Sequence, residues 1–599
     1  MMMENGVPKV ELGMLHSEGL EPGSLLQRLI VLQQKHRFIP EQEITRLAHT
    51  CNVTEAQITG VIEFYSFLHT SPRGEYDILV SDNITDQMQG SHLLADLLSK
   101  GLGVALGTTR NDLRVSLDYT SCIGMGDQGP AALINGQTIT RLTPSRIHQI
   151  VQLIEASTPL SQWPDAFFQV DAKALRSDLL LKSDFSPGAA LSSCLEQGPT
   201  SIFNRLEQAG LRGCGGAGFS TAAKWRFCAS AAGEQRVVVC NADEGEPGTF
   251  KDRFLLQSHA DRLIEGMTLC AAAVGAGIGF IYLRGEYRYL LESLQTTLDK
   301  RRNEGLLGPA ILGQEGFDFD ISIHLGAGAY ICGEESALIE SLEGKRGIPR
   351  SRPPFPVSQG YLNYPTVVNN VETFCNAAMI IQQGVDWYRS IGTTTSPGSK
   401  LLSISGDCDR PGIYEFPFGT TISDILNQCG AHQTMAVQVG GAAGRLIAAT
   451  EFHRTIAFED IPTGGSFMVF NQSRELLRAI ENFTQFFKHE SCGFCTPCRV
   501  GSSLLVKQLN KVMVGHATTK DLEEMSILGS LMQKTSHCGL GQTAANPILD
   551  GLGKFPHLFQ SRLRATRFEP AFDLDASLEE ARQLTGRDDP DAHLEGGGV

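Results

Sequence analysis

Three cysteines at two-residue spacing, Cys492-Gly493-Phe494-Cys495-Thr496-Pro497-Cys498, are followed by a single downstream cysteine, Cys538, in Ser536-His537-Cys538-Gly539. Thiolates so spaced can each reach a different iron and fit three corners of a cubane, with a remote cysteine for the fourth. One tetrahedral zinc is more naturally served by two separated C-x2-C pairs. A zinc site and a chance grouping of core cysteines are the competing readings. Cys498 leads into a run expected to be helical from Arg499 to about Val514, whose amino end favours negatively charged thiolates. Spacing therefore favours one 4Fe-4S cluster with Cys492, Cys495, Cys498 and Cys538 as metal ligands.

A second group of residues suits nucleotide chemistry. Gly213-Cys214-Gly215-Gly216-Ala217-Gly218 satisfies G-x-G-x-x-G, a weak signal by itself because glycines also serve ordinary turns. The residues before it, Phe203 to Ala209, read as helix where a dinucleotide fingerprint needs a strand. The loop is expected instead to cradle a nucleotide at the start of a helix over Thr221–Phe227, with Lys224 about one turn in and able to meet a phosphate. A strand over Val237–Cys240 empties into Asn241-Ala242-Asp243-Glu244-Gly245-Glu246-Pro247-Gly248. Carboxylates crowded in a turn are usually solvated, but at the end of an α/β strand they can bond ribose hydroxyls or a flavin ring edge. A second glycine turn, Gly326 to Glu335, precedes a helix, and Arg352-Pro353-Pro354-Phe355-Pro356 and Asn369-Asn370-Val371-Glu372-Thr373 come after it. Together the four turns imply one large bound nucleotide.

These residues must be positioned by several domains, since 599 residues give a prior of about four. The chain is 42% hydrophobic and 19% charged, which suits buried cores and excludes collagen, coiled coil and wholesale disorder. A net charge of −16 argues against a phosphate-dominated nucleic-acid role. Fifteen cysteines are too sparse and too odd in number for a disulfide scaffold. Met1–Gly6 shows no signal-peptide pattern, and the longest apolar run, Leu269 to Leu283, is too short to span a bilayer, so a cytoplasmic protein with reduced thiols is expected.

The expected architecture is multidomain α/β. Residues 23 to about 70 carry helical periodicity, with Pro40 opening a second helix and Thr54-Glu55-Ala56-Gln57 a capping box for a third. A small α/β unit follows to about residue 140, with runs at Tyr76–Val80 and Ala131–Gly136 around a helix near 91–100. The domains are placed at 1–160, a linker at 161–200, a nucleotide-binding α/β domain at 201–398, a β-rich segment at 399–470, a helical domain at 471–565 and an acidic tail at 566–599.

Taken together, Gly213–Lys224, Asn241–Arg253, Gly326–Glu335, Arg352–Pro356, Asn369–Thr373 and the four cysteines resemble the NADH-binding flavoprotein subunit of respiratory complex I and its relatives, over about residues 200 to 560. The first 160 residues resemble the small thioredoxin-like subunit that accompanies this flavoprotein, here fused ahead of it. That subunit normally carries a 2Fe-2S cluster on four cysteines. Here Ser81–Gln87 contains none and Ser121–Gly126 keeps only Cys122, so the 2Fe-2S centre is expected to be lost. A fused, cluster-less amino domain looks most like the diaphorase flavoprotein (alpha) subunit of cytoplasmic NAD-reducing NiFe hydrogenases.

The resemblance implies a helical plus thioredoxin-like domain, an FMN- and NAD-binding α/β domain, a β-grasp-like domain and a helical 4Fe-4S domain. It implies FMN contacts from Gly213, Gly215, Lys224, Asn241, Asp243, Glu244, Gly333, Glu334, Asn369, Asn370 and Thr373. NAD(H) would touch Gly216, Glu246 and Glu335, with Phe219, Phe227 and Phe355 stacking on adenine and Arg352 where a lysine is often found. Hydride transfer by cofactor positioning needs no catalytic acid or base. Implied partners are an iron–sulfur diaphorase subunit and the hydrogenase small and large subunits, with neither nucleic acid nor membrane insertion. The same module in complex I or an NAD-dependent formate dehydrogenase is the alternative, and a non-catalytic scaffold with structural zinc the remote one.

Overall fold

The computed structural model describes residues 24–182, 184–566 and 574–588. Three helices come first, α1 (Leu25–His36), α2 (Glu41–Cys51) and α3 (Glu55–Ile62). Leu26, Leu29, Ile30 and Leu32 bury one stripe of α1, and Thr54 opens α3 with the capping box to Gln57 that its sequence predicts. The next unit holds β1 (Tyr76–Ser81), α4 (Ile84–Met88), α5 (Ser91–Leu102), β2 (Thr108–Thr109), β3 (Val115–Thr120), β4 (Ala132–Ile134), β5 (Gln137–Ile139) and α6 (Pro144–Glu155). Its sheet order is β2-β3-β1-β4-β5, with β1 parallel to β3 and antiparallel to β4. Tyr76, Ile78 and Val80 alternate along β1 into a core shared with α5 and α6.

Residues 161–200 do more than connect. They form β6 (Ala174–Arg176) and α7 (Ala189–Gln197) before α8 (Thr200–Ala209) and α9 (Thr221–Ser230) begin the central domain. That domain continues with β7 (Val237–Ala242), α10 (Lys251–Ser258), α11 (Ala260–Val274), β8 (Ile278–Leu283), α12 (Leu291–Asn303), β9 (Asp320–Leu325), α13 (Glu335–Leu342), β10 (Thr366–Asn370), α14 (Val371–Gln383) and α15 (Val385–Arg389). Its four strands are all parallel in the order β10-β7-β8-β9. A parallel sheet covered on both faces calls for continuous apolar strands, and Val237, Val238, Val239 and Cys240 are fully buried. The long apolar run at Leu269–Leu283 is the end of α11 plus β8, both in this core. Gly266 lets α11 and α14 meet, since a Cβ there would lie 2.0 Å from the Phe374 carbonyl oxygen.

The third layer comprises β11 (Ser399–Gly406), β12 (Gly412–Pro417), α16 (Ile422–Cys429), β13 (Thr434–Val439), β14 (Arg445–Ala448) and β15 (Ser466–Asn471). Its sheet order is β14-β13-β15-β11-β12-β6, so the segment expected as a bare linker supplies the edge strand, parallel to β12. Ile422, Ile425, Leu426 and Cys429 of α16 close one face. The helical domain follows as α17 (Leu476–Glu490), α18 (Thr496–Met513), α19 (Thr519–Thr535), α20 (Gly539–Thr543), α21 (Asn546–Lys554) and α22 (Pro556–Gln560). Within the segment expected as an acidic tail, α23 (Leu574–Thr585) is helical, while 567–573 and 589–599 lie outside the described residues.

Candidate active site and metal centre

The parallel sheet changes direction between β7 and β10. From β7 the chain progresses through β8 to β9, then returns to the other side of β7 as β10. In doubly wound sheets the crevice at the carboxyl ends of such neighbouring strands is where ligands bind. Asn241 and Asn370 are register partners at that edge. The glycine loop lies against it: the Cys214 N–H donates to Thr373 Oγ1 at 2.9 Å, and a Cβ on Gly215 would lie 2.8 Å from Asn370 Cβ. A side chain at 215 is thereby excluded, while Gly216 faces open space. As the sequence implies, the loop follows a helix, α8, and Ser220 caps α9 by accepting the Ala223 N–H.

The polar side chains around the crevice divide into two sets. Asn241 Nδ2 donates to the Gly333 carbonyl at 2.8 Å, joining the acidic turn to the second glycine turn. Lys224 Nζ lies 2.7 Å from Glu335 Oε2 and 2.8 Å from the Val368 carbonyl, so a cation and an anion stand at the crevice together. Arg352 Nη1 is 3.4 Å from Glu334 Oε1 and 3.8 Å from Glu335 Oε1. Phe219, Phe227 and Phe355 are each more than half exposed, at 55%, 56% and 51%. Three exposed phenylalanines around one glycine loop and its neighbouring turn offer stacking faces.

Other expected contacts are turned inward. The Glu244 carboxylate accepts the Asp252 and Arg253 N–H groups and the Tyr287 hydroxyl, capping α10, which leaves its main chain for a ligand. Glu334 accepts the Ser336 and Ala337 N–H groups and caps α13. Asn369 accepts from Trp225 Nε1 at 2.8 Å, and Asn370 accepts the Glu372 N–H to cap α14. Asn370 also donates to Asp252 at 2.6 Å and accepts from Lys251 at 3.1 Å. Glu246 is held between the Tyr330 hydroxyl at 2.6 Å and the Ala443 N–H at 2.9 Å, and burial raises it to about 7.

Asp243 is different. Its residue surface is half-buried, yet Oδ2 is enclosed and finds no partner among the described residues. Burial, opposed by Arg284 and reinforced by Glu286 and Glu490, pushes the carboxyl up to about 8. An unpartnered carboxyl oxygen next to the Gly333 turn suits a flavin nucleotide, which offers both N–H donors and carbonyl acceptors.

The four cysteines converge. Cys492, Cys495, Cys498 and Cys538 line one cavity with Ile331, Pro349, Ser491, Phe494, His537 and Leu540. Cys495 is the residue before α18, Cys498 lies in its first turn, and Cys538 immediately precedes α20. Gly541 allows the approach of the two helices, since a Cβ there would lie 2.9 Å from Cys498 Cβ. Among the described residues no set of three or more His, Cys, Asp and Glu side chains converges on a single-ion position. Four thiols around one cavity supply the four ligands that a cubane needs. Burial, reinforced by Cys492 and Glu334, pushes Cys538 up to about 11, an expense that bonding to iron removes.

The amino-terminal domain does not fit a 2Fe-2S cluster. Cys122 is its one thiol at the sheet, buried, with Sγ accepting the Gly248 N–H at 3.5 Å. Cys51 sits on α2 with Arg28 donating to it. Where a first pair of ligands would stand, Ser81 Oγ donates to a buried Asp86 at 2.8 Å.

Several residues at the site are given no role by the sequence reading. Tyr330 and Glu490 join the two centres: the Tyr330 N–H donates to Glu490 Oε2 at 3.0 Å, and Glu490 is two residues before Cys492. Lys251 is buried against Asp252 at 2.6 Å and Glu372 at 3.0 Å, and Lys400 also pairs with Glu372. The charged triplet Lys251-Asp252-Arg253 directly after the acidic turn is the one local signal that points to them.

Fold and site together define a nucleotide-binding flavoprotein of the NADH-dehydrogenase type with an attached iron–sulfur domain. Family models agree: a Nuo51 FMN-binding domain at 206–379, a thioredoxin-like 2Fe-2S ferredoxin at 14–155 and the NADH-ubiquinone oxidoreductase-F iron-sulfur binding region at 478–562. The chain belongs to the family of the alpha subunit of NAD-reducing hydrogenase. It is 42% identical to the HoxS alpha subunit of Cupriavidus necator over 572 residues, 92% of this chain and 94% of that one. It is 38% identical to the HndC subunit of the NADP-reducing hydrogenase of Solidesulfovibrio fructosivorans, over 62% of this chain and 78% of that one. A chain in the crystal structure of an NAD+-reducing NiFe hydrogenase in the H2-reduced state superposes with a TM-score of 0.88 at 42% identity, covering 95% and 99% of the two chains.

Proposed function

We propose that this chain is the diaphorase subunit of an NAD-reducing hydrogenase. It would exchange hydride between NAD(H) and FMN and pass electrons singly to or from one 4Fe-4S cluster. Partner subunits, an iron–sulfur diaphorase subunit and the small and large NiFe subunits, would oxidise hydrogen. The observation that carries the reading is a shared wall: Ile331, in the turn that bears Gly333 and Glu334, also lines the cavity of the four thiols. FMN, when bound, supplies two-electron exchange with nicotinamide and one-electron exchange with iron–sulfur centres.

The chain's own part is positional. Gly213, Gly215, Asn241, Asp243, Gly333 and Thr373, with the main chain at Glu244 and Glu334, would shape the flavin bed, and Lys224 would meet its phosphate. Gly216, Glu246 and Glu335 would border NAD(H), with Phe219, Phe227, Phe355 and Arg352 at the adenine end. Asn369 and Asn370 would set the edge of the bed from beneath. Cys492, Cys495, Cys498 and Cys538 would ligate iron. No proton-transfer residue is required, and no helix among the described residues is long and apolar enough to cross a membrane. Reduced cysteines support a cytoplasmic setting.

The test is copurification of the native complex followed by flavin, iron and nickel analysis and an assay of hydrogen-dependent NAD+ reduction. The expected result is FMN, about four irons attributable to this chain, and activity with hydrogen. A colourless, flavin-free chain overturns the reading, and about six irons would reveal a second cluster.

A further inference from the structure

The residue just ahead of the glycine loop, Arg212, is turned back onto it. Backbone pairs close the neck of the loop. The Thr221 N–H donates to the Leu211 carbonyl at 3.0 Å, the Gly213 N–H donates to the Phe219 carbonyl at 2.9 Å, and Arg212 and Ser220 are antiparallel partners between them. Across that neck Arg212 Nε donates to the Gly218 carbonyl at 2.6 Å. The same guanidinium lies over the ring of Phe458, 4.1 Å from its centroid. A charged donor holds a carbonyl more strongly than a neutral one, and a cation over an aromatic face adds to the hold.

Phe458 belongs to the third layer, in the stretch between β14 and β15, and is itself fixed. Its N–H donates to Ser396 Oγ at 3.0 Å, and its ring centroid lies 5.1 Å from that of buried Phe418. Glu459 beside it accepts from the Thr393 hydroxyl at 2.6 Å and from the Ser396 hydroxyl. On the loop side a Cβ at Gly218 would lie 2.4 Å from the Phe458 ring, and Gly218 has a φ of +66°, which glycine adopts without steric cost. The third layer touches the loop a second time, since a Cβ on Gly464 would lie 3.5 Å from the Gly215 carbonyl oxygen. With Asn370 against Gly215 from the other side, Gly215, Gly216, Ala217 and the Phe219 ring are left exposed.

We propose that Arg212 is a positioning residue for NAD(H), clamping the glycine loop against Phe458 so that Gly216 and Phe219 stand toward the crevice. This rests on the reading that the loop borders flavin and NAD(H). Arg212 acts through the peptide it holds: Phe219 follows Gly218 directly, so fixing the Gly218 carbonyl fixes the direction in which the exposed ring leaves the chain. A loop that samples other shapes binds NAD(H) more weakly, by the fraction of time spent outside the binding shape. Once NAD(H) is seated the loop has its bound shape in every variant, so the effect falls on half-saturation and spares the hydride step.

The experiment follows flavin reduction by NADH in stopped flow, on the intact complex, with rates normalised to bound flavin. Wild type is compared with Arg212→Met, Phe458→Leu, Phe458→Tyr and the double variant Arg212→Met with Phe458→Leu, and hydrogen exchange is read in the peptide over 212–221. The half-saturating NADH concentration should rise about tenfold in Arg212→Met and about threefold in Phe458→Leu. The limiting rate should stay within about twofold of wild type. Phe458→Tyr, which keeps the ring face, should match wild type, and exchange over 212–221 should accelerate in Arg212→Met and Phe458→Leu. The double variant should be no worse than Arg212→Met, because both changes break one contact. Unchanged half-saturation in both single variants, a limiting rate that falls as far as half-saturation rises, or fully multiplicative effects in the double variant overturn the proposal. A wild-type complex that is flavin-free and not reduced by NADH overturns the functional reading instead, and the exchange data then decide the clamp, which an unaltered loop in Arg212→Met overturns.

Discussion

At the scale of single residues, the crevice is marked by what its side chains are not bonded to. Most carboxylates in the acidic turn are consumed by the fold: Glu244 caps α10 and Glu246 is clamped by Tyr330 and Ala443. Of the three carboxylates in that turn, Asp243 is the one that keeps an enclosed oxygen without a hydrogen-bond partner among the described residues. Its carboxyl is raised to about 8, so its sign on stability follows. In the unfolded chain it titrates near its ordinary value of about 4. The neutral form is favoured in the fold, so the stability it contributes is full below about pH 4 and is lost as pH rises through about 8. Asparagine keeps the shape and removes the charge. In flavin-depleted protein, the melting temperature of Asp243→Asn relative to wild type should therefore become more favourable between about pH 5 and about pH 8. A difference that stays flat over that range would show that the carboxyl is not held neutral.

At the scale of elements, the end of α17 joins the second glycine turn to the cysteine loop. Glu490 closes that helix, accepts the Tyr330 N–H from the flavin-side turn and the Ser121 hydroxyl from the amino-terminal domain at 2.7 Å, and leads directly to Cys492. Glu490→Ala leaves a partly buried N–H unpaired, which costs about 1–3 kcal/mol, and frees the turn to drift from the cluster loop. Flavin reduction by NADH should remain near wild type in stopped-flow measurements. Reduction of acceptors served through the cluster should slow by on the order of tenfold, because small misplacements are amplified in rate. Equal slowing of both steps would assign Glu490 to the fold alone. The cluster loop was legible in the sequence because two-residue cysteine spacing is itself geometry. The coupling was not, because Ser121, Tyr330 and Glu490 are far apart in the chain and no local pattern joins them. The inward turn of Glu244 and Glu334 was equally hidden: a glutamate before a helix reads the same whether it caps that helix or faces a ligand.

At the scale of the whole molecule, the amino-terminal domain keeps the thioredoxin-like fold without the ligands of its cluster, and its contacts explain what it still does. The opening helices, the α/β texture of the central region and the glycine turns were readable from periodicity and composition. The edge strand β6 was not, because three residues carry no period and gain their place only from β12. The ion pair of Asp127 with Arg253 was also invisible, its partners being 126 residues apart. That pair has both side chains 0% exposed and an N–O distance of 2.9 Å, and Arg284 Nη2 adds a bond to the Cys122 carbonyl at 2.8 Å. Arg253 follows the acidic turn in α10, so the pair ties the domain to the helix behind that turn. Removing one partner of a buried pair strands the other charge, at about 3–5 kcal/mol, whereas a surface pair would cost less than about 1 kcal/mol. Asp127→Ala should therefore lower the unfolding free energy of the purified complex by about 3–5 kcal/mol and release FMN in the same transition. Loss of the amino-terminal domain's signal ahead of flavin release, in two separate transitions, would mean that the domain is a passenger. A single transition fits a domain that stays as the support on which the acidic turn is set.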